Sequence, residues 1–130
     1  MDDAELVDLA AKAARGSYSP YSTFRVGAVV VTDGGDVVSG ANVENAAFGA
    51  SICAEANAIS NAIAAGATSI ETVAVVCLDG DPCTPCGNCR QIMREFNVQR
   101  VLLRLPDGVT HALSLDDLLP MSFGPEALKS

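Results

Sequence analysis

Apolar residues recur along this chain with two different periods, and the alternation between them predicts the order of its elements. Within residues 4–15, Leu6, Leu9, Ala10, Ala13 and Ala14 fall on one stripe at helical spacing, and Gly16 is a natural stop. A turn-rich link containing Pro20 follows. Residues 24–31 read as a strand, Asp33-Gly34-Gly35-Asp36 as a turn, and residues 37–43 as the returning strand. A second helix is expected over 53–65, stopped by Gly66, with Ser51 as its candidate N-cap. Residues 72–78 form a continuous apolar run of the kind buried in mid-sheet. Then come a Gly/Pro-rich loop over 79–85, a helix over 86–96, a strand over 100–105 and the turn Pro106-Asp107-Gly108. The tail carries Leu115, Leu118, Leu119 and Phe123. A helix, a hairpin and then overlapping strand–helix–strand units imply the α/β class. The expected architecture is a three-layer α/β/α sandwich around a mixed, largely parallel central sheet, with residues 1–130 as a single domain.

Composition narrows the setting. The chain has 130 residues, 49% of them hydrophobic, which is enough for a real core at this length. No apolar run approaches the roughly 18 residues needed to span a membrane. The start, Met1-Asp2-Asp3-Ala4-Glu5, lacks the basic and apolar regions of a signal peptide, so a soluble cytoplasmic protein is expected. Eight Lys and Arg against 16 Asp and Glu give a net charge of −8. Polynucleotides and anionic membranes are bound by neutralising phosphate with cations, so this balance argues against both as partners.

The chemistry lies in the cysteines, at positions 53, 77, 83, 86 and 89. In a cytosolic chain this usage points to metal or catalysis before disulfides. Cys53-Ala54-Glu55 and Pro85-Cys86-Gly87-Asn88-Cys89 each fall at the start of an expected helix, where the dipole and open N–H groups favour a thiolate. Cys86 and Cys89 are three apart, so one helical turn can aim both at a single metal, with Cys53 as the third ligand. Three protein ligands leave a fourth tetrahedral position for water, the catalytic type of zinc site. A closed structural site would need a fourth ligand from Cys83, Cys77 or the only histidine, His111. Cys77 lies in an apolar strand and reads as core, His111 as a surface or interface residue. Cys83 completes a second C-x-x-C, but Pro82 and Pro85 favour an extended backbone there. Glu55, two residues past Cys53, can reach metal-bound water without ligating. Taken alone it could equally serve its own helix start.

With these motifs the chain resembles the zinc-dependent cytidine deaminases, in their three-Cys, homotetrameric form. That superfamily carries a His or Cys, x, Glu motif followed by P-C-x-x-C. Further blocks are similar: Tyr18-Ser19-Pro20-Tyr21-Ser22 with Phe24-Arg25-Val26-Gly27-Ala28, Asn42-Val43-Glu44-Asn45-Ala46, and Leu118-Leu119-Pro120 with Phe123-Gly124. The resemblance implies one zinc per chain on Cys53, Cys86 and Cys89, with Glu55 as the catalytic proton carrier. It implies a pyrimidine nucleoside as substrate, bound through Asn42 and Glu44 at the ribose and flanked by Phe24 at the base. The Ala54 N–H and the Thr84 carbonyl would meet the base's O2 and amino group, and Phe123 would reach a neighbouring subunit's site. On residues alone, Asn42 and Glu44 could be solvent-facing, Phe24 core, and Phe123 packed on its own domain. The implied reaction replaces the C4 amino group of cytidine or deoxycytidine with water's oxygen and releases ammonia.

Two positions depart from the family pattern. Phe48 stands where Tyr is usual, and Ala56 stands where three-Cys members carry an Arg near the thiolates. Asn57, Arg90 and Gln91 are candidate donors in its place. The rival readings are a deaminase of a cytosine-nucleoside antibiotic and, from another class, a structural zinc module for protein contacts.

Overall fold

A computed structural model describes residues 1–80 and 83–129 of the chain. The expected extended conformation at Pro82 lies outside the described residues. Helix α1 (Asp3–Ala14) opens on a complete capping box: the Glu5 N–H donates to the Asp2 side chain at 2.9 Å, and the Glu5 carboxylate accepts from the Asp2 N–H. The hairpin is β1 (Val26–Thr32) and β2 (Val37–Ala41), slightly shifted from the expected bounds. There follow α2 (Ala54–Ala64), β3 (Ile70–Cys77), α3 (Gly87–Glu95), β4 (Arg100–Arg104), β5 (Thr110–Ser114) and the short α4 (Leu115–Leu118).

Among the described residues the five strands form one sheet in the order β2-β1-β3-β4-β5. The sheet is mixed but mostly antiparallel, which corrects the largely parallel centre expected from the sequence. Only β3 and β4 pair in parallel; β1 is antiparallel to both β2 and β3, and β5 is antiparallel to β4. The physical reason is where the hairpin sits. Strands β2 and β3 do run the same way, as a strand–helix–strand unit requires, but β1 lies between them and takes the ladders of both.

The three layers are as expected. Period-2 alternation sends Val29, Ala74, Val76 and Leu102 to one face, where Leu6, Val7 and Ala10 of α1 cover them. Ala28, Val30, Val73, Val75, Val101 and Leu103 point to the other, against Ala54, Ala58, Ile59 and Ala62 of α2 and Cys89 and Met93 of α3. Two glycines let the helices lie directly on the strands. A Cβ on Gly27 would stand 2.0 Å from the Ala10 carbonyl, and one on Gly40 would stand 2.5 Å from the Ala58 nitrogen. No helix among the described residues is long and apolar enough to cross a membrane.

Since β2 and β3 run in the same direction, the helices that follow them start at the same end of the sheet. This is the carboxyl end of those strands, where open α/β sheets hold their ligands.

Candidate active site

Cys53 is the N-cap residue of α2 and Cys86 the N-cap residue of α3. Ser51 is therefore not the cap expected from its residue type; its hydroxyl accepts instead from the Asn45 N–H at 3.1 Å. Neither helix start has a side-chain cap, so the thiols sit against open backbone donors. Cys89, one turn into α3, completes a group whose three sulfurs lie within 4.8 Å of one another. Cys53 and Cys86 Sγ are 3.9 Å apart. A tetrahedral zinc with Zn–S bonds near 2.3 Å separates its sulfurs by roughly 3.8 Å, so the Cys53–Cys86 spacing matches that ion and the third sulfur lies within about 1 Å of such a fit. Cys83 is not part of this group, and Cys77 is buried at the end of β3, its sulfur accepting from the Asp79 N–H.

Electrostatics within the cluster already separate its members. The Cys53 thiol is pulled down to about 6, mainly because the Cys89 thiol donates to its sulfur. Cys89 is correspondingly driven up by that bond and by burial. Glu55, in the first turn of α2, is only 4% exposed. Burial, opposed by its own backbone N–H and aided by the Cys53 charge, pushes its carboxyl up to about 7. A carboxyl poised near neutrality beside the thiol cluster can both accept and return a proton.

Next to the cluster lies a cavity of about 360 Å³ walled by Tyr21, Ser22, Asn42, Glu44, Phe48, Ser51, Ile52 and Cys53. It brings Asn42 and Glu44 together with Cys53 of the thiol cluster. Both side chains also brace the preceding segment. The Asn42 amide oxygen accepts from Ser17 Oγ (2.5 Å) and the Val26 N–H (2.9 Å), while its nitrogen donates to the Phe24 carbonyl (2.9 Å). Glu44 accepts from the N–H groups of Tyr21 and Ser22 and from the Ser22 hydroxyl. The Ser22 hydroxyl is the main reason its carboxyl falls below the usual range.

Phe24, Thr84 and Phe123 do not wall this cavity, and all three are exposed. Tyr21, Ser22, Phe48 and Ile52 are the walls that sequence reasoning gave no role. The turn-rich Tyr18–Ser22 block was the signal for two of them. The candidate thiolate donors are engaged elsewhere: Asn57 donates to the Ala41 carbonyl, Arg90 to the Pro85 and Leu118 carbonyls, and Gln91 to the Phe123 carbonyl.

Comparison with known proteins agrees with this geometry. Residues 1–105 match the family model described as the cytidine and deoxycytidylate deaminase zinc-binding region. The chain is 38% identical over 128 residues to a cytidine deaminase of Halalkalibacterium halodurans, covering 97% of each. It is 39% identical over 119 residues to the cytidine deaminase of Mycobacterium tuberculosis, covering 92% of this chain and 87% of that one. Among solved structures, the cytidine deaminase of Burkholderia pseudomallei superposes with a TM-score of 0.88 at 41% identity, over 95% of this chain and all of that one. With three thiols positioned for one metal ion, zinc in these relatives' family, at the common end of two helices, the chain belongs to the zinc-binding cytidine and deoxycytidylate deaminase family.

Proposed function

We propose that this protein hydrolyses the C4 amino group of cytidine and 2′-deoxycytidine, giving uridine or 2′-deoxyuridine and ammonia. The observation that carries this reading is the buried Glu55 carboxyl, held near neutrality beside three thiols spaced for one zinc. Zinc held by Cys53, Cys86 and Cys89 would supply an acidified water for attack on C4. Glu55 would accept one proton from the attacking water and deliver it to ring N3, then accept the second from the new C4 hydroxyl and deliver it to the amino group, which leaves as ammonia as the C4 carbonyl forms. Asn42 and Glu44 bind the ribose hydroxyls across the cavity, and Phe24 flanks the pyrimidine. The Ala54 N–H and the Thr84 carbonyl fix the base's O2 and amino group.

Residues 1–130 act as one domain, and four copies assemble in the cytoplasm as a pyrimidine-salvage enzyme. Support for assembly comes from the surface beside the cavity. Tyr18 bridges to Val43 and Val43 to Ile52, while the rings of Tyr21 and Phe48 meet edge to face with centroids 6.4 Å apart. All five side chains are exposed, Phe48 at 78%. A contiguous apolar patch of this kind marks a contact surface. Phe123, 60% exposed on the tail, is free of its own core and reaches a neighbouring site.

The test is a panel of cytidine, deoxycytidine, cytidine 5′-monophosphate and adenosine, read by the fall in pyrimidine absorbance and by ammonia release. Turnover of the two nucleosides, abolished by a chelator and restored by zinc, is expected. One zinc per chain with no turnover of either nucleoside overturns the reading in favour of a structural metal module. Light scattering of the same sample should give four times the 13.3 kDa chain mass.

A further inference from the structure

The segment leading into β1 is pinned from two sides, and only one of them belongs to the cavity. On the cavity side, Glu44 and Asn42 hold residues 17–24 through the bonds described above. On the other side stands Asp79, in the loop directly after β3. Its Oδ2 accepts from the Arg25 backbone N–H at 2.8 Å and from Arg25 Nε at 3.1 Å, and its Oδ1 accepts from Arg25 Nη2 at 2.9 Å. The Arg25 carbonyl in turn accepts from the Leu78 N–H at 3.0 Å, one step past the Val26–Cys77 pairing. Arg25 and Asp79 thus continue the β1–β3 ladder beyond the sheet, at the end where the thiols cluster.

Stability does not account for this pair. The two side chains are 47% and 28% exposed, and ion pairs in such settings contribute little. Its geometric effect is specific. Phe24 precedes Arg25, and a Cβ built on Gly80 would stand 3.4 Å from the Phe24 ring, so the ring lies against Gly80, the residue after Asp79. Thr23, between the two anchors, is held at φ +58°, a left-handed conformation that a β-branched residue keeps only when its surroundings impose it.

We propose that Arg25 and Asp79 are positioning residues for the reaction, locking the Phe24 segment onto the start of the loop after β3 and so fixing where the Phe24 ring stands beside the base. This rests on the reading of Phe24 as the flank of the pyrimidine. The pair touches neither substrate nor metal and acts through Phe24.

The experiment uses the zinc-loaded protein with Arg25→Ala, Asp79→Ala, the double variant, and Asp79→Asn, which keeps an oxygen for the Arg25 N–H. Each alanine variant should raise the KM for cytidine about tenfold with kcat within about twofold, since a ring that holds the base equally in ground and transition states contributes to binding and not to the chemical step. The double variant should be no worse than either single, and Asp79→Asn should fall between wild type and Asp79→Ala. Zinc should stay at one per chain throughout. Amide exchange at Arg25 and Leu78, followed in the same samples, should speed up in Asp79→Ala. An unchanged KM, additive effects, or unchanged protection of the two amides overturns the proposal. Wild-type protein inert towards cytidine would count against the proposed function alone, and the exchange measurement would still decide the clamp.

Discussion

Helix α1 and the pair α2 and α3 pack on opposite faces of the same sheet, yet their first turns are built for different ends. Helix α1 begins with Asp2 and Glu5, which satisfy each other's backbone donors and complement the dipole. Behind them lies a face packed mainly through aliphatic side chains, with an Asp3–Arg100 ion pair at its edge. Helices α2 and α3 begin with Cys53 and Cys86, whose side chains cap nothing. A buried carboxyl follows in the first turn of α2, where burial raises its pKa. A first turn can serve its own helix or a ligand. Where the position is given to a metal-binding thiol, the helix forgoes its cap and relies on packing through Ala58, Ile59, Ala62 and Met93.

The sharpest way to break this comparison is at the thiols. Replacing Cys53, Cys86 or Cys89 with Ala should take zinc from one per chain to none and turnover to background, read by metal analysis and by the absorbance assay. Cys77→Ala and Cys83→Ala should each keep one zinc. Loss of zinc from Cys83→Ala as severe as from Cys86→Ala would mean a closed four-ligand site.

Glu55→Gln comes next. It should keep zinc while lowering kcat by roughly 10²–10⁴-fold or more, because the proposed reaction routes both proton transfers through this carboxyl. The same variant tests the burial argument in metal-free protein. Glu55 is raised from 4.5 to about 7, so the folded state holds its proton over a window in which the unfolded chain has lost it. Its contribution is fully present below pH 4.5 and is lost as pH rises through about 7. Metal-free wild type should therefore lose about 3 kcal/mol relative to Glu55→Gln between pH 4 and 8, measured by denaturant titration. Equal slopes for the two proteins would place the carboxylate in water.

A smaller effect is expected from the substrate side. The cavity wall carries Glu44 and neither Lys nor Arg, so a 5′-phosphate brought there has no cation to pair with. Cytidine should exceed its 5′-monophosphate by about 10²-fold or more in kcat/KM, and comparable values would contradict the sugar placement. The smallest effect belongs to the other face. Asp2→Ala should cost about 1 kcal/mol of stability with kcat/KM unchanged. A fall in activity would show that the two faces are not independent.

How far the residues alone reached depended on distance along the chain. The stripe of α1, the hairpin around Asp33–Asp36 and both cysteine motifs were legible, because each is set by neighbours within a turn or two. Ser51 shows the limit of residue type as a guide. A good capping side chain turned to Asn45, while a cysteine two residues on took the N-cap position. The tail was less legible still. Arg90, Gln91 and Arg94 of α3 bind Leu118, Phe123, Ser122 and Glu126, pairings across 28 or more residues that no periodicity announces. The cavity walls come from two separate connections, α1–β1 and β2–α2, so Tyr21 could not be grouped with Phe48 and Ile52 before the chain was folded.

The sequence by itself determined the element order from α1 to β4, the three-layer class and which thiols and carboxyl to single out, since local periodicity and the spacing of Cys53, Glu55, Cys86 and Cys89 carry those directly. Only the tertiary structure decided that β1 lies between β2 and β3, which turns a centre expected to be parallel into a mostly antiparallel one. The pattern that makes a strand is the same whichever neighbour it pairs with and in whichever direction. That one placement leaves β2 and β3 running together, and so brings two helix starts more than thirty residues apart in the chain to a single set of sulfurs within 4.8 Å.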